Sequence, residues 1–68
     1  MQRLHPSMKR LYKVAYEKLG DEIPAQVARR MNASPQVISN WERRGISEHG
    51  AIEAERAYGA SPLWILEG

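Results

Sequence analysis

The chain has 68 residues, no cysteine and a net charge of +2, which predicts one small domain without disulfides or thiolate metal sites. It lacks the apolar run of about 20 residues that a bilayer span requires, and its N-terminus has no apolar segment typical of a secretory signal. We therefore expect a cytoplasmic protein with no membrane partner.

Charge is distributed unevenly along the chain. Residues 1–44 carry nine Lys or Arg against four acids, whereas residues 45–68 carry one Arg against four acids. A basic front and an acidic back are typical of a protein that meets a polyanion with one side. A domain this small can also show such asymmetry by chance, so charge alone leaves nucleic-acid binding as one of two interpretations.

The first predicted helix covers residues 7–19, where apolar residues recur at the spacing of one buried stripe. Ser7 is its predicted N-cap and Gly20 its predicted stop. Residues 1–6 are expected to form a loose arm, and Asp21 and Glu22 are expected to stabilise the N-terminus of a helix. The members of the stripe are Met8, Leu11, Tyr12, Ala15 and Leu19.

Two short helices are predicted on either side of a tight turn. The first covers residues 24–31 and opens on a proline, which is favoured at the first helical position. Asn32 is predicted to adopt the left-handed conformation that follows it. The next helix covers residues 35–43, with Ser34 as its N-cap and Gly45 at its end. The residues expected to hold the pair together are short or apolar: Val27, Ala28, Met31, Ala33, Ile38 and Trp41.

A fourth helix is predicted over residues 47–58, ending at Gly59. Ser61 and Pro62 repeat the cap-and-proline signal for a last short helix over residues 63–67. No segment alternates apolar and polar residues convincingly, so no sheet is expected. The predicted fold is all-α, with five helices in a single domain over the whole chain. The predicted inner stripe of the fourth helix is Ala51, Ala54 and Tyr58.

Residues 24–44 are predicted to form a helix-turn-helix, a unit that places its second helix in the DNA major groove. The outer face of that helix carries polar side chains. Gln and Asn each offer a donor and an acceptor on one planar amide, which matches N6 and N7 of adenine. An ordinary solvated helix face is the alternative, but the packed scaffold beneath favours DNA contact. The outer face consists of Ser34, Gln36, Ser39, Asn40 and Arg43.

Residues 24–58 resemble the Xre-type helix-turn-helix domain of phage repressors and Cro-like prophage regulators. SPQVISNWERRG is similar to the recognition helix and exit loop of that family, and EAERAYGASPLWILEG to the last two helices of repressor N-terminal domains. The resemblance implies a five-helix, repressor-like DNA-binding fold. It also implies a homodimer on a palindromic double-stranded DNA operator.

The resemblance assigns roles to individual residues. Pro24 stands where the family often has a phosphate-binding glutamine, and Gln26 is expected to reach that phosphate instead. Asn32 stands where the family often has Gly. The implied base-reading residues are Ser34, Gln36, Ser39 and Asn40. The implied DNA-backbone contacts are Gln26, Asn32, Pro35, Arg43 and Arg44.

The last helix is more apolar than one small core easily buries. Trp64 is compatible both with packing inward and with a dimer surface, and we favour a dimer contact at Leu63, Trp64 and Leu66. The predicted function is a sequence-specific transcriptional regulator that binds its operator as a dimer. The chain is compatible with a complete Cro-like protein and with the N-terminal domain of a longer repressor.

Two other functions stay open. An antitoxin of a toxin–antitoxin pair shares this domain and represses its own operon, and its last helix would then bind the toxin. An enzyme is disfavoured, because polar groups do not cluster outside the helix-turn-helix. His5 and His49 have no second ligand at helical spacing, so no metal site is predicted, and no cofactor is expected.

Overall fold

The computed structural model describes residues 4–68. The regular secondary structure of this part of the chain is all α-helix, with no strand, which confirms the predicted all-α class and the five helices. Each helix boundary lies within about one residue of its predicted position. The helices are α1 (Pro6–Leu19), α2 (Pro24–Arg30), α3 (Pro35–Arg44), α4 (Glu48–Tyr58) and α5 (Pro62–Glu67). Among residues 4–68, no helix has the length and apolarity to cross a membrane.

One hydrophobic core joins all five helices. α1 packs against α2, α4 and α5, α4 packs against α5, and α2 packs against α3. The inner stripe predicted for α4 is buried as expected. Buried apolar side chains come from every helix, so each helix stabilises the placement of the others. The largest fully buried apolar side chains are Met8, Leu11, Val27 and Ile65.

The start of α1 differs from the prediction, because the N-cap is His5 and not Ser7. The His5 ring accepts the Ser7 backbone N–H at 3.2 Å, and Pro6 takes the first helical position. Ser7 is buried, and its hydroxyl oxygen accepts the backbone N–H of Ile46 at 3.0 Å. This serine therefore ties α1 to the segment between α3 and α4.

The sequence predicted a loose arm over residues 1–6. This prediction is wrong for residues 4–6, which belong to the folded domain. The backbone N–H of His5 donates to the carbonyl oxygen of Glu42 in α3 at 2.9 Å. Residues 1–3 lie outside the described part of the chain. Leu19 was assigned to the buried stripe of α1 but is 46% exposed, because the last turn of this helix extends past the core.

Asp21 was predicted to act at the N-terminus of α2, but its side-chain hydrogen bonds join Tyr58 and Arg30 instead. Its carboxylate is buried and accepts the Tyr58 hydroxyl at 2.9 Å. It also accepts two N–H groups of the Arg30 guanidinium, each at 3.2 Å. The group links the α1–α2 connection, α2 and the end of α4.

The hydrogen bonds from Arg30, aided by the Tyr58 hydroxyl, hold the pKa of Asp21 below its ordinary value of 3.8. A lowered folded-state pKa means that the ion pair stabilises the fold above the unfolded-state pKa. That stabilisation is lost as the pH falls through the folded-state pKa. We expect Asp21→Asn to lower the melting temperature at pH 7, with the difference from wild type shrinking below about pH 4.

Thermal unfolding followed by circular dichroism from pH 7 to pH 2 measures this difference. Glu55→Gln is a suitable control, since it removes an exposed carboxylate from α4. A melting-temperature difference for Asp21→Asn that stays constant down to pH 2 would show that the carboxylate charge does not stabilise the fold.

Candidate nucleic-acid interface

A tight turn over residues 31–34 sets the direction of α3 relative to α2. Asn32 has φ 57°, which confirms the predicted left-handed conformation. Asn adopts this conformation more readily than most residues because its short polar side chain bonds locally. The backbone N–H of Ala33 donates to the carbonyl oxygen of Ala28 at 2.8 Å, which closes the end of α2. The Asn32 side chain is exposed beside this turn.

Ser34 begins α3 as predicted. Its hydroxyl oxygen accepts the backbone N–H of Val37 at 3.2 Å, and Pro35 occupies the first helical position. The cap uses the oxygen as an acceptor and leaves the hydroxyl hydrogen to donate outward. Ser34 therefore combines a structural role with one remaining donor at the surface.

Contacts to α1 and α4 fix the rotation of α3 about its axis. Ile38 is buried, and the Tyr12 hydroxyl donates to the Glu42 carboxylate at 2.6 Å. Burial and this hydrogen bond raise the pKa of Tyr12, so its hydroxyl keeps its proton across the physiological range. On the other side, Trp41 packs against the core as predicted and lies against α4 at Gly50. A Cβ atom at position 50 would lie 2.6 Å from the Trp41 ring, so this close approach requires glycine.

These anchors turn one side of α3 towards solvent. Each residue rotates a helix by about 100°, so Gln36, Asn40 and Arg43 stand opposite the buried Ile38. Gln36, Ser39 and Arg43 are exposed and Asn40 is half-buried, so every one of these groups is accessible. The outer face predicted from the sequence therefore faces solvent, and from here on the term also includes Val37: Ser34, Gln36, Val37, Ser39, Asn40 and Arg43.

Val37 was not identified from the sequence as a site residue. Its side chain is 37% exposed at the edge of the outer face. An apolar side chain there can contact the C5-methyl group of thymine. The available signal was its position next to Ile38, which places it off the buried stripe of α3.

Two side chains of the outer face contact each other. The Arg43 guanidinium donates from Nη2 to Asn40 Oδ1 at 2.8 Å. The resemblance assigned these residues separate roles, with Asn40 at a base and Arg43 at a phosphate. The structure instead joins them into one hydrogen-bonded pair.

Exposed arginines lie on the same two-helix unit as the outer face. Arg44 follows at the end of α3, and Arg29 lies on α2; both are exposed, and neither forms an ion pair with another residue in the range 4–68. Arg30 differs, because Asp21 already holds its guanidinium. Arg29 is therefore the α2 arginine whose charge is available to a polyanion.

Gln26 has a role in the fold that the sequence analysis missed. Its side-chain oxygen accepts the backbone N–H groups of Glu22 at 2.7 Å and Ile23 at 3.2 Å. It thus satisfies donors at the start of α2, as the third residue of a capping box does. The pattern was not recognised because the N-cap is Ile23 and not Ser or Thr. The amide NH₂ of Gln26 remains a donor suited to a phosphate oxygen.

α5 lies away from these contacts, packed on α1 and α4. Of the residues predicted to form a dimer contact, Leu63 is 63% exposed. Trp64 and Leu66 are partly buried and pack against the core. Of the three residues predicted to form the dimer contact, Leu63 is therefore the most exposed. Trp64 and Leu66 also contribute to the core of the monomer.

Comparison of the chain with protein-family models, with curated proteins and with solved structures finds no match. The functional interpretation therefore depends on the geometry of the α2–turn–α3 unit and its outer face.

Proposed function

We propose that this protein is a sequence-specific DNA-binding transcriptional regulator of the Xre helix-turn-helix type. Phage repressors and Cro-like prophage regulators are the proteins of this kind that its sequence resembles. The observation that carries the proposal is the outer face of α3. It presents amide and hydroxyl groups to solvent on a helix whose inner side is held by Tyr12, Ile38 and Trp41.

In the proposed complex, α3 enters the major groove, which is wide enough to admit a helix and presents a distinct pattern for each base pair. Gln36 and Asn40 read base edges through their amides. Ser39 and Ser34 contribute hydroxyl groups, which bond to several bases or to a phosphate. Pro35 lies beside them at the N-terminus of α3 and contacts the backbone.

Phosphate contacts supply affinity that does not depend on sequence. Arg44 and Arg43 at the end of α3 lie where the exit loop would meet one strand, and Arg29 adds charge from α2. Gln26 and Asn32 present exposed amides on the same two-helix unit. Neutralising phosphates releases bound counterions, so affinity falls as salt rises.

The operator is expected to be palindromic, because two copies of the chain would bind half-sites about one helical turn, or ~34 Å, apart. Leu63, with the exposed parts of Trp64 and Leu66, is the proposed contact between the copies. Bound operator would block or redirect RNA polymerase. Such a regulator acts in the cytoplasm of a bacterial or phage-infected cell, where the DNA lies.

An antitoxin would bind DNA through the same α2–turn–α3 unit, and its exposed Leu63 would contact the toxin instead of a second copy of the chain. Sedimentation of the purified chain on operator DNA separates the two functions. Two chains per palindromic operator with no second protein supports the regulator. Stable binding of one chain per operator would favour a partner of another kind at α5.

Selection of bound sequences from a random duplex pool tests the proposal directly. We expect one palindromic motif, with an affinity that falls linearly on a log–log plot against salt concentration. Arg44→Ala should weaken all sequences about equally and reduce the magnitude of the salt slope by about 2, which is about 1 for each of the two copies.

Arg56→Ala is the matched control for Arg44→Ala. It also removes one arginine, but from α4, where its guanidinium already contacts Glu53. This variant should leave the motif and the salt slope unchanged. A flat plot for the wild-type protein, or no enriched sequence, would contradict DNA binding through this interface.

A further inference from the structure

We propose that Arg43 is a positioning residue that sets the base preference of Asn40, so that the pair selects guanine rather than adenine. The inference depends on the proposed function, because it assigns the chemistry read by one part of the outer face. It changes the role of Arg43 from a phosphate contact to a determinant of sequence specificity.

The contact between the two side chains defines which way the Asn40 amide is turned. Amide oxygen and nitrogen are often indistinguishable by shape, and their assignment depends on the hydrogen-bond partners. A guanidinium has only donors. The Asn40 atom 2.8 Å from Arg43 Nη2 must therefore be the carbonyl oxygen, Oδ1.

Arg43 occupies one lone pair of Oδ1, so the Asn40 amide offers its NH₂ group and a single weakened acceptor to a ligand. Arg43 keeps further N–H donors beside it, since a guanidinium carries five. The pair is therefore rich in donors and carries a positive charge. Asn40 alone would offer one donor and one acceptor, which is the pattern that suits adenine.

The two purines differ in the pattern that such a pair would meet. In the major groove guanine presents two acceptors, N7 and O6, whereas adenine presents the N7 acceptor and the N6 amino donor. The adenine amino group would have to share Asn40 Oδ1 with Arg43 and would face the positive charge of the guanidinium. Guanine gives the donors of Asn40 and Arg43 an acceptor each, so the pair favours guanine.

Gln36 provides the contrast within the same face. Among residues 4–68 the hydrogen bonds at this face join Arg43 to Asn40 and Ser34 to Val37, and none involves the Gln36 side chain. Gln36 thus keeps both its donor and its acceptor, and it matches adenine. The two amides of one face are therefore expected to read different purines.

Binding of operator variants tests the inference. Asn40→Ala first identifies the base pair that Asn40 reads, as the position whose preference is lost. Wild-type protein should bind guanine over adenine at that position by about tenfold or more. Arg43→Ala should remove this preference or reverse it towards adenine, because Oδ1 is released. Arg43→Lys should restore part of the guanine preference, since an ammonium also donates to Oδ1.

Arg44→Ala is the matched control, because it removes the neighbouring arginine that does not contact Asn40. It should weaken guanine and adenine operators equally and leave their ratio unchanged. If Arg43→Ala also weakens both equally, Arg43 is only a phosphate contact and the inference is overturned. If the wild-type protein enriches no sequence at all, the proposed function itself fails, which is a distinguishable result.

Discussion

Replacing Gln36 and Asn40 together by alanine is expected to lower affinity for the preferred operator by about a thousandfold or more, with the fold intact. Each good amide–base contact contributes about 1–3 kcal/mol of discrimination, and the proposed dimer would make each contact twice. The summed loss approaches the gap of about 4–10 kcal/mol that separates specific from non-specific binding. The variant should therefore bind its operator no better than other DNA.

The fold should survive this double substitution because neither side chain holds α3 in place. Gln36 is exposed, Asn40 is half-buried, and alanine has the highest helix propensity. The salt dependence of the remaining binding should persist, because no charge is removed. These properties distinguish loss of base reading from loss of structure.

Fluorescence anisotropy with the operator and with a scrambled duplex measures the effect, and a thermal melt checks the fold. The scrambled duplex is the control, since the double variant should bind it as the wild-type protein does. Equal losses on both duplexes would mean that the amides contribute only sequence-independent affinity. Unchanged operator affinity would mean that the outer face of α3 does not read bases.

Helix boundaries could be predicted from the sequence because the signals that set them are local. Ser34 with Pro35 and Ser61 with Pro62 each satisfy the first backbone donors and preset the first helical residue. Asn32 at the turn is equally local. These features act within about four residues, so a single sequence contains all the information that they need.

Contacts between distant residues could not be predicted in this way. The Asp21 carboxylate binds the Tyr58 hydroxyl across 37 positions, and the Ser7 hydroxyl binds the Ile46 backbone across 39 positions. Nothing near Asp21 in the sequence distinguishes a buried ion pair from a charge at a helix N-terminus. The choice depends on where α1 and α4 meet, which only the packed core decides.

The sequence predicted which residues of α3 share the outer face. It did not predict the hydrogen bonds between their side chains. Helical spacing from Ile38 places Gln36, Asn40 and Arg43 on one side, and the structure agrees. Spacing does not determine that Arg43 donates to Asn40 rather than pointing towards solvent. That choice depends on side-chain rotamers, which are set by the neighbours of each side chain.

α5 shows the limit of periodicity most clearly. Four of its six residues are apolar, and a helix shorter than two turns shows no stripe. The sequence analysis treated three apolar residues of this helix as more than the core could bury: Leu63, Trp64 and Leu66. The residue of α5 that is completely buried in the core is instead Ile65. Packing on α1 and α4 decides which side of this helix is buried.

Ile65→Ala is expected to destabilise the domain by about 2–5 kcal/mol, because it removes a fully buried side chain and leaves a cavity. A 68-residue domain has a free energy of unfolding of roughly 3–10 kcal/mol, so the loss is a large part of the total. The Arg10 side chain donates to the carbonyl oxygens of Ile65 at 2.9 Å and Leu66 at 3.1 Å. These bonds hold the end of α5 on α1 but do not replace the lost apolar contacts.

Leu63→Ala is the matched control, since it removes a similar aliphatic side chain from the same helix at an exposed position. Its free energy of unfolding, measured with urea for both variants, should stay within about 0.5 kcal/mol of wild type. Equal destabilisation by the two variants would contradict the burial that places Ile65 in the core. If the Leu63→Ala protein is as stable as wild type and binds the palindromic operator with weaker cooperativity, the two variants assign different roles to the buried and the exposed side of α5. One side then stabilises the monomer, and the other joins two copies on DNA.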